Sequence, residues 1–501
     1  MKTLQIILIS PDYICYPFSF FQEKSAHLDY MKNRQIRKHT SPIILLVLLA
    51  VLLSLPAIHY GYLLEDYRYL RPYSPEEILH TFSAHWEPLQ IETKGYRPLH
   101  SVQYAFFYML IGGDPVKNHI LKMALFVAGV LLVYFLAFRC TNDISSAFWT
   151  ALIYPCLATM AWQVSWLVNR QHLLQIIFFA SMIILYDRYL LKGSRLFWTA
   201  SLVVFLLALL LKETAVMYPL IILAFSSIVR KRAIRSQVKP LIPFFALLVI
   251  FIIVRSLILK DLPKSNTFPP PPDLHPFSLI YEYSRSLLGT CIQTQGIHDL
   301  FNDFPIYDLG LRTTRDFVSL GAFAGIFIIG GFLLFRRGSR TNKQGFILGL
   351  AILLLANIIV AAWYRTNRIF ITSIGISLMI GVLVSQLFKS LTVMRKGIET
   401  TFVILVILFF GLYLTLNLLV FFEIQSALRP NGFLSLTWDR WEYEEYLQFK
   451  ETNQSGTITG EQLRIFKEKL RQTGREKWAD KLSERITKPE KTLILLTNPV
   501  R

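Results

Sequence analysis

Residues 41–59 read SPIILLVLLAVLLSLPAIH, and nothing in that run is charged. A helix of about 20 apolar residues crosses the hydrocarbon core of a bilayer. Inside that core every backbone amide and carbonyl must find its partner within the protein. No other feature narrows the fold as far, because runs of this kind recur: they follow at about 117–138, 146–162, 167–186, 196–211, 214–229, 240–259, 316–335, 345–363, 369–388 and 400–422. Charged residues make up only 17% of the chain, against about 25% in soluble domains. The expected fold is all-α, a polytopic membrane protein of about eleven transmembrane helices.

The net charge of +19 does not point to nucleic acid, because the basic residues come in short runs between apolar segments. Alternate connections carry Arg139; Arg188, Lys192 and Arg195; Arg230, Lys231, Arg232, Arg235 and Lys239; Arg336, Arg337, Arg340 and Lys343; and Lys389, Arg395 and Lys396. Against them stand Asp143, Asp187 and Glu399. Lys32, Arg34, Arg37 and Lys38 precede the first span. The positive-inside rule then places the N-terminus in the cytoplasm and the C-terminus outside. The bilayer is the obvious partner. Cys15, Cys140, Cys156 and Cys291 show neither metal spacing nor a disulfide framework.

Three regions follow. Residues 1–40 form an N-terminal arm, and the basic segment opening at Met31 marks that residue as an alternative start. Residues 41–422 form the membrane domain, with long outer loops at 60–116 and 260–315. The first loop holds EEILHTF and the aromatic LHSVQYAFFYMLIGG, expected to lie along the interface. The second holds PPPP at 269–272 and an amphipathic HPFSLIYEYSRSLL. Residues 423–501 form a small soluble, helical tail, whose Asn453-Gln454-Ser455 is a sequon without meaning in a bacterium.

Ionisable groups at membrane depth are expensive and tend to serve function. Lys122, Arg170, Lys212, Glu213, Arg255, Arg365 and Arg368 all fall near outer span ends, as do most histidines, including His119 and His172. Each has a structural reading taken singly: Lys212-Glu213 as a self-satisfied pair at a turn, Arg170 and His172 as a helix cap, Arg368 as a snorkelling anchor. Glu65 and Asp66 are neighbours, so their side chains diverge by about 100° on a helix or to opposite faces of a strand. One can face a polar site as base or metal ligand while the other supports the loop. Together these groups suit a substrate with a lipid part and an anionic part.

The order of motifs resembles the GT-C class of membrane glycosyltransferases, closest to the protein O-mannosyltransferase-like branch. An acidic pair follows the first span. Then come YRPL (96–99), a Gly-Gly with Asp-Pro, NH at the next span's start, LLKETAVMYP, and an arginine before a small-residue SIG. The resemblance covers residues 41–390. It implies an enzyme that takes a sugar from a polyprenyl-phosphate carrier on the non-cytoplasmic side and passes it to a glycolipid or protein acceptor. It implies Glu65 or Asp66 as catalytic base, and Arg97, His119, Lys212, Glu213 and Arg368 as substrate-binding residues. Two departures stand out: the acidic order is Glu-Asp, and Ile369-Phe370-Ile371 replaces the usual Tyr and Pro-Ser after Arg368.

The chemistry suits these residues. A carboxylate takes the acceptor's proton as it attacks the anomeric carbon, and a single displacement inverts that centre. Fixed cations, with Arg368, Lys212 and Arg170 the candidates, balance the departing lipid phosphate. No cofactor is required. A divalent metal at Glu65/Asp66 is the alternative, and the lone acidic pair favours metal-free chemistry. Rival readings are a lipid-linked saccharide transporter or flippase, and an O-antigen-type polymerase or ligase. The compact loops favour a bacterial inner membrane.

Overall fold

The computed structural model describes residues 38–63, 66–83, 96–259, 276–292, 314–361, 369–391 and 398–429, with 467, 470–471 and 476–480 besides. The N-terminal arm, the proline tract at 269–272, Glu65, Arg365, Arg368 and most of the tail lie outside the described residues. All regular structure among the described residues is helical. Helix α1 runs Lys38–His59. Then come α2 (Asp66–Tyr69), α3 (Pro75–Ser83), α4 (Pro98–Ile111), α5 (Pro115–Thr141), α6 (Ile144–Cys156), α7 (Thr159–Ser165), α8 (Arg170–Lys192), α9 (Arg195–Leu211), α10 (Tyr218–Ile228) and α11 (Ile234–Leu259). After them follow α12 (Pro276–Ile292), α13 (Thr314–Gly325), α14 (Gly331–Arg337), α15 (Arg340–Ala361), α16 (Thr372–Leu391) and α17 (Ile398–Leu428).

Among the described residues eight helices are long and apolar enough to cross a membrane, or nine if the bent pair α6–α7 is one span. The segments Arg195–Leu211 and Glu213–Ile228 are shorter apolar helices. Every apolar run expected from the sequence is thus helical, but not every one is a straight crossing. The expected span 146–162 breaks between Cys156 and Thr159 and turns by 70°. Pro155 explains the stop, since its ring removes a donor and crowds the preceding turn. A backbone group freed at the break is met from another helix: Ala158 N donates to Asn417 Oδ1 at 3.3 Å. Lys212-Glu213 separates the two shorter helices, as the sequence has it. α17 continues to Leu428, beyond the expected limit at 422.

The helix starts follow local chemistry. Asp114 caps α5 by accepting from Val116 N (2.9 Å) and Lys117 N (3.3 Å), with Pro115 at the first turn, where no donor is needed. Gly112, at φ +72°, makes the reversal from α4 into α5. α16 is the central helix, with 89% of its apolar window buried. Glycine permits that: a Cβ on Gly375 would stand 2.5 Å from the Gly349 carbonyl oxygen, and one on Gly381 would stand 2.5 Å from Thr150 N. α15, α16 and α6 therefore pack backbone to backbone, as membrane helices do where small residues meet. The outward faces of α1, α11 and α17 expose Leu48, Leu52, Ile250, Ile253, Leu408 and Leu419. Such an apolar surface is stable against lipid and marks the molecule as an integral membrane protein.

Charged clasps sit at the end where α5 finishes and α6 begins. Buried Asp187 accepts from Arg230 through both oxygens (2.5 and 2.9 Å), with Arg139 at 3.4 Å. Asp143 accepts from Ser146 N (3.2 Å), Ser146 Oγ (2.6 Å), Ser385 Oγ (3.0 Å) and Lys389 Nζ (2.6 Å), tying α6 to α16.

Candidate functional site

The opposite end of the bundle gathers the polar residues. It is built from the loop after α1, the buried face of α4, the first turns of α5 and α8, the segment between α7 and α8, and the turn after α9. Asp66 opens α2 and is fully buried. Its Oδ2 accepts from Leu63 N at 2.9 Å, and its Oδ1 accepts from Val168 N at 2.8 Å. It therefore pins the first outer loop to the chain just before α8. Nearby, Tyr62 OH donates to the Gly113 carbonyl. Burial, and then the charge of Asp66, push that phenol above its ordinary range, so it stays a donor.

Arg170 begins α8 with no exposed surface. Its Nε donates to Gln103 Oε1 and its Nη1 to Asn118 Oδ1, each at 3.1 Å. The guanidinium carbon lies 4.7 Å from the ring centres of both Tyr104 and Phe107, a stacking that suits a weakly hydrated cation. Tyr104 OH donates to the Val168 carbonyl at 2.7 Å. Asn118 is itself fixed, donating to Gly112 O (3.0 Å) and Asp114 O (2.9 Å). His119 places Nε2 3.2 Å from Gly61 O. One turn on, Lys122 is buried and donates to the Trp166 carbonyl.

Lys212 and Glu213 go separate ways. Glu213 Oε2 accepts from Arg97 Nε at 2.8 Å, whereas Lys212 Nζ meets His172 Nε2. An ammonium donating to Nε2 requires the Nδ1–H tautomer, and that proton faces Gln163 Oε1 at 2.7 Å. The imidazole stacks on Phe370, with centroids 4.4 Å apart and planes at 18°. Tyr154 OH donates to the Phe370 carbonyl at 3.1 Å, so the chain just past Arg368 is anchored beside Lys212.

Of the expected residues, the structure brings together Asp66, His119 and Arg170 around α5 and α8, and Lys212 with His172 two residues further along α8. Arg97 and Glu213 form their own ion pair. His100 links the groups: its ring packs edge-on against Tyr69 and Tyr104 at 5.2 and 5.0 Å, and it feels the charges of Arg97, Lys212 and Arg170. The sequence reading passes over Gln103 and Tyr104 and carries Asn118 only within the NH motif. A signal for the first two exists, since they share a face of α4 with His100, three and four residues on.

Charge is the chief property of the site. Lys122, Arg170 and Lys212 are 1%, 0% and 6% exposed, and Asp66 lies in the field of the first two. Buried cations gathered this closely attract anions. Among the described residues, no three His, Cys, Asp or Glu side chains stand together as metal ligands.

No family's sequence model matches the chain, and no curated protein matches it. Among solved structures, the apo oligosaccharyltransferase of Archaeoglobus fulgidus superposes with a TM-score of 0.45 at 13% identity, over 81% of this chain and 59% of its own. This chain thus spans about three-fifths of that protein's length. ArnT from Cupriavidus metallidurans, solved bound to undecaprenyl phosphate, gives a TM-score of 0.44 at 13% identity, over 85% of this chain and 84% of its own. Likeness at this level assigns no activity.

Proposed function

We propose that this chain is a glycosyltransferase that moves a sugar from a polyprenyl-phosphate carrier to an acceptor hydroxyl, with inversion, on the non-cytoplasmic side of the membrane. The observation that carries the reading is the gathering of three buried cations, Lys122, Arg170 and Lys212, at one end of a lipid-facing bundle. A lipid phosphate suits such a cluster, and its apolar tail has lipid at hand. As the sugar leaves, negative charge grows on the phosphate, and cations already fixed by Gln103, Asn118 and His172 stabilise it without rearranging.

The acidic pair divides its roles. Both oxygens of Asp66 accept backbone amides, so Asp66 supports the loop and the proton-taking role falls to Glu65. Metal-free chemistry is the form proposed: Asp66 accepts two backbone amides and lies in the field of Lys122 and Arg170. The acceptor is a glycolipid or a protein, and the compartment a bacterial inner membrane.

Glu65→Gln tests the base: transfer from a polyprenyl-phosphate sugar should fall about 10²–10⁴-fold, with expression and melting temperature unchanged. Full activity in both Glu65→Gln and Asp66→Asn would remove the acidic pair from the chemistry. Mass spectrometry of envelope glycans after gene deletion should show one missing hexose or pentose. The broken α6–α7 pair is the observation that favours the transport alternative, because discontinuous helices line carrier sites. Substrate flux in proteoliposomes without sugar transfer would decide for it.

A further inference from the structure

The bent span leaves an unusual residue of its folding. Over 162–171, five buried side chains hold a polar atom with no hydrogen-bond partner among the described residues: Trp162 Nε1, Ser165 Oγ, Trp166 Nε1, Arg170 Nη2 and Gln171 Oε1. All five are 7% exposed or less. Each such atom costs about 1–3 kcal/mol, and native interiors hold few of them. Five in ten residues is not what packing alone selects.

Their surroundings are those of the site. The indoles of Trp162 and Trp166 have ring centroids 6.5 Å apart. The Trp166 carbonyl receives Lys122, and Arg170 is held through its other nitrogens by Gln103 and Asn118. His119 Nδ1, from α5, is likewise buried without a partner among the described residues. The set is dominated by donors, with Gln171 Oε1 as an acceptor that has the His100 ring of α4 within its reach. Phosphate oxygens only accept, whereas a sugar hydroxyl both donates and accepts. A glycosyl phosphate offers both in one headgroup.

We infer that the stretch 162–171, from α7 into the first turn of α8, is a headgroup cradle, in which the Trp162 and Trp166 indole N–H groups, Ser165 and Arg170 bond the phosphate while Gln171 receives a sugar hydroxyl. This deepens the proposed transferase reading and rests on it. The 70° break lies directly before this stretch, and the Trp166 carbonyl within it receives Lys122.

The test uses the full chain in detergent, with farnesyl phosphate, farnesol and farnesyl phosphoryl mannose as probes, and reads affinity by native mass spectrometry alongside the ligand-free melting temperature. Trp162→Phe and Trp166→Phe keep a ring and remove only the N–H and part of the indole. Each should weaken farnesyl phosphate about tenfold while leaving farnesol binding and the melting temperature as they were. Gln171→Leu should weaken the mannosyl probe and spare farnesyl phosphate. Wild-type affinity in both tryptophan variants overturns the cradle and leaves the transferase reading standing. A wild-type chain that does not prefer farnesyl phosphate to farnesol overturns both. Should either phenylalanine lower the melting temperature, Ser165→Ala, which deletes one oxygen, carries the test: undiminished affinity for farnesyl phosphate there overturns the cradle.

Discussion

Asp66 shows how much one side chain can hold. Its carboxylate ties its own loop to backbone 102 residues further on, accepting from Leu63 N and from Val168 N. Asp66→Ala leaves both amides buried and unbonded, which costs about 2–5 kcal/mol in all. A thermal melt in detergent should show a lower transition than for wild type, and Asp66→Asn, which keeps one acceptor oxygen, should fall between. An unchanged transition in Asp66→Ala would remove its bracing role. Glu65→Gln should leave the melt alone, which separates support from chemistry within one dipeptide. The acidic pair was legible in the sequence as a pair with diverging side chains. Which member braces the loop was not, because that depends on an amide from a segment a hundred residues away.

At the scale of elements, the helices are held by small residues and by clasps at their ends. Gly375→Ala would place a methyl group 2.5 Å from the Gly349 carbonyl oxygen, and backbone cannot swing aside as a side chain does. The α15–α16 contact must open, at a cost of about 1–3 kcal/mol or more, visible as a lower melting temperature or poor folded yield. The Asp143 clasp between α6 and α16 responds to pH. Burial raises that carboxyl, but hydrogen bonds from Lys389 and Ser146 outweigh it and hold the group below the usual carboxylate range. A lowered folded value means the clasp stabilises above the unfolded pKa, about 4, and its contribution is lost as pH falls through the folded value. Asp143→Asn should melt lower than wild type at pH 7, and the gap should close below about pH 4. Because Lys389 is 46% exposed, the ion-pair share is about 1 kcal/mol or less.

The whole molecule has two unlike ends. One carries Arg139, Arg188, Lys192, Arg230 and Lys389 at helix termini, and the other carries the site. The basic end should face the cytoplasm. In intact cells, with the native cysteines buried or replaced, a membrane-impermeant maleimide should label Glu76→Cys, on exposed α3, from outside. Arg232→Cys should react only after the cells are opened. The reverse pattern would put the site in the cytoplasm and end the carrier reading. The sequence yields this expectation because orientation depends on where lysines and arginines fall between apolar runs, a property summed along the chain.

By itself the sequence determined that the chain is a bundle of apolar helices in a membrane, where those helices lie to within a few residues, and which end collects the ionisable groups. Those are consequences of segment length and local solvation, which need no knowledge of neighbours. Only the tertiary structure decided that Lys212 and Glu213 take different partners, that Asp66 is a brace, that one span folds back on itself, and that a row of donors is left buried beside three cations. These depend on which side chain meets which across tens or hundreds of residues, and helical periodicity says which face a residue occupies without saying what stands opposite it.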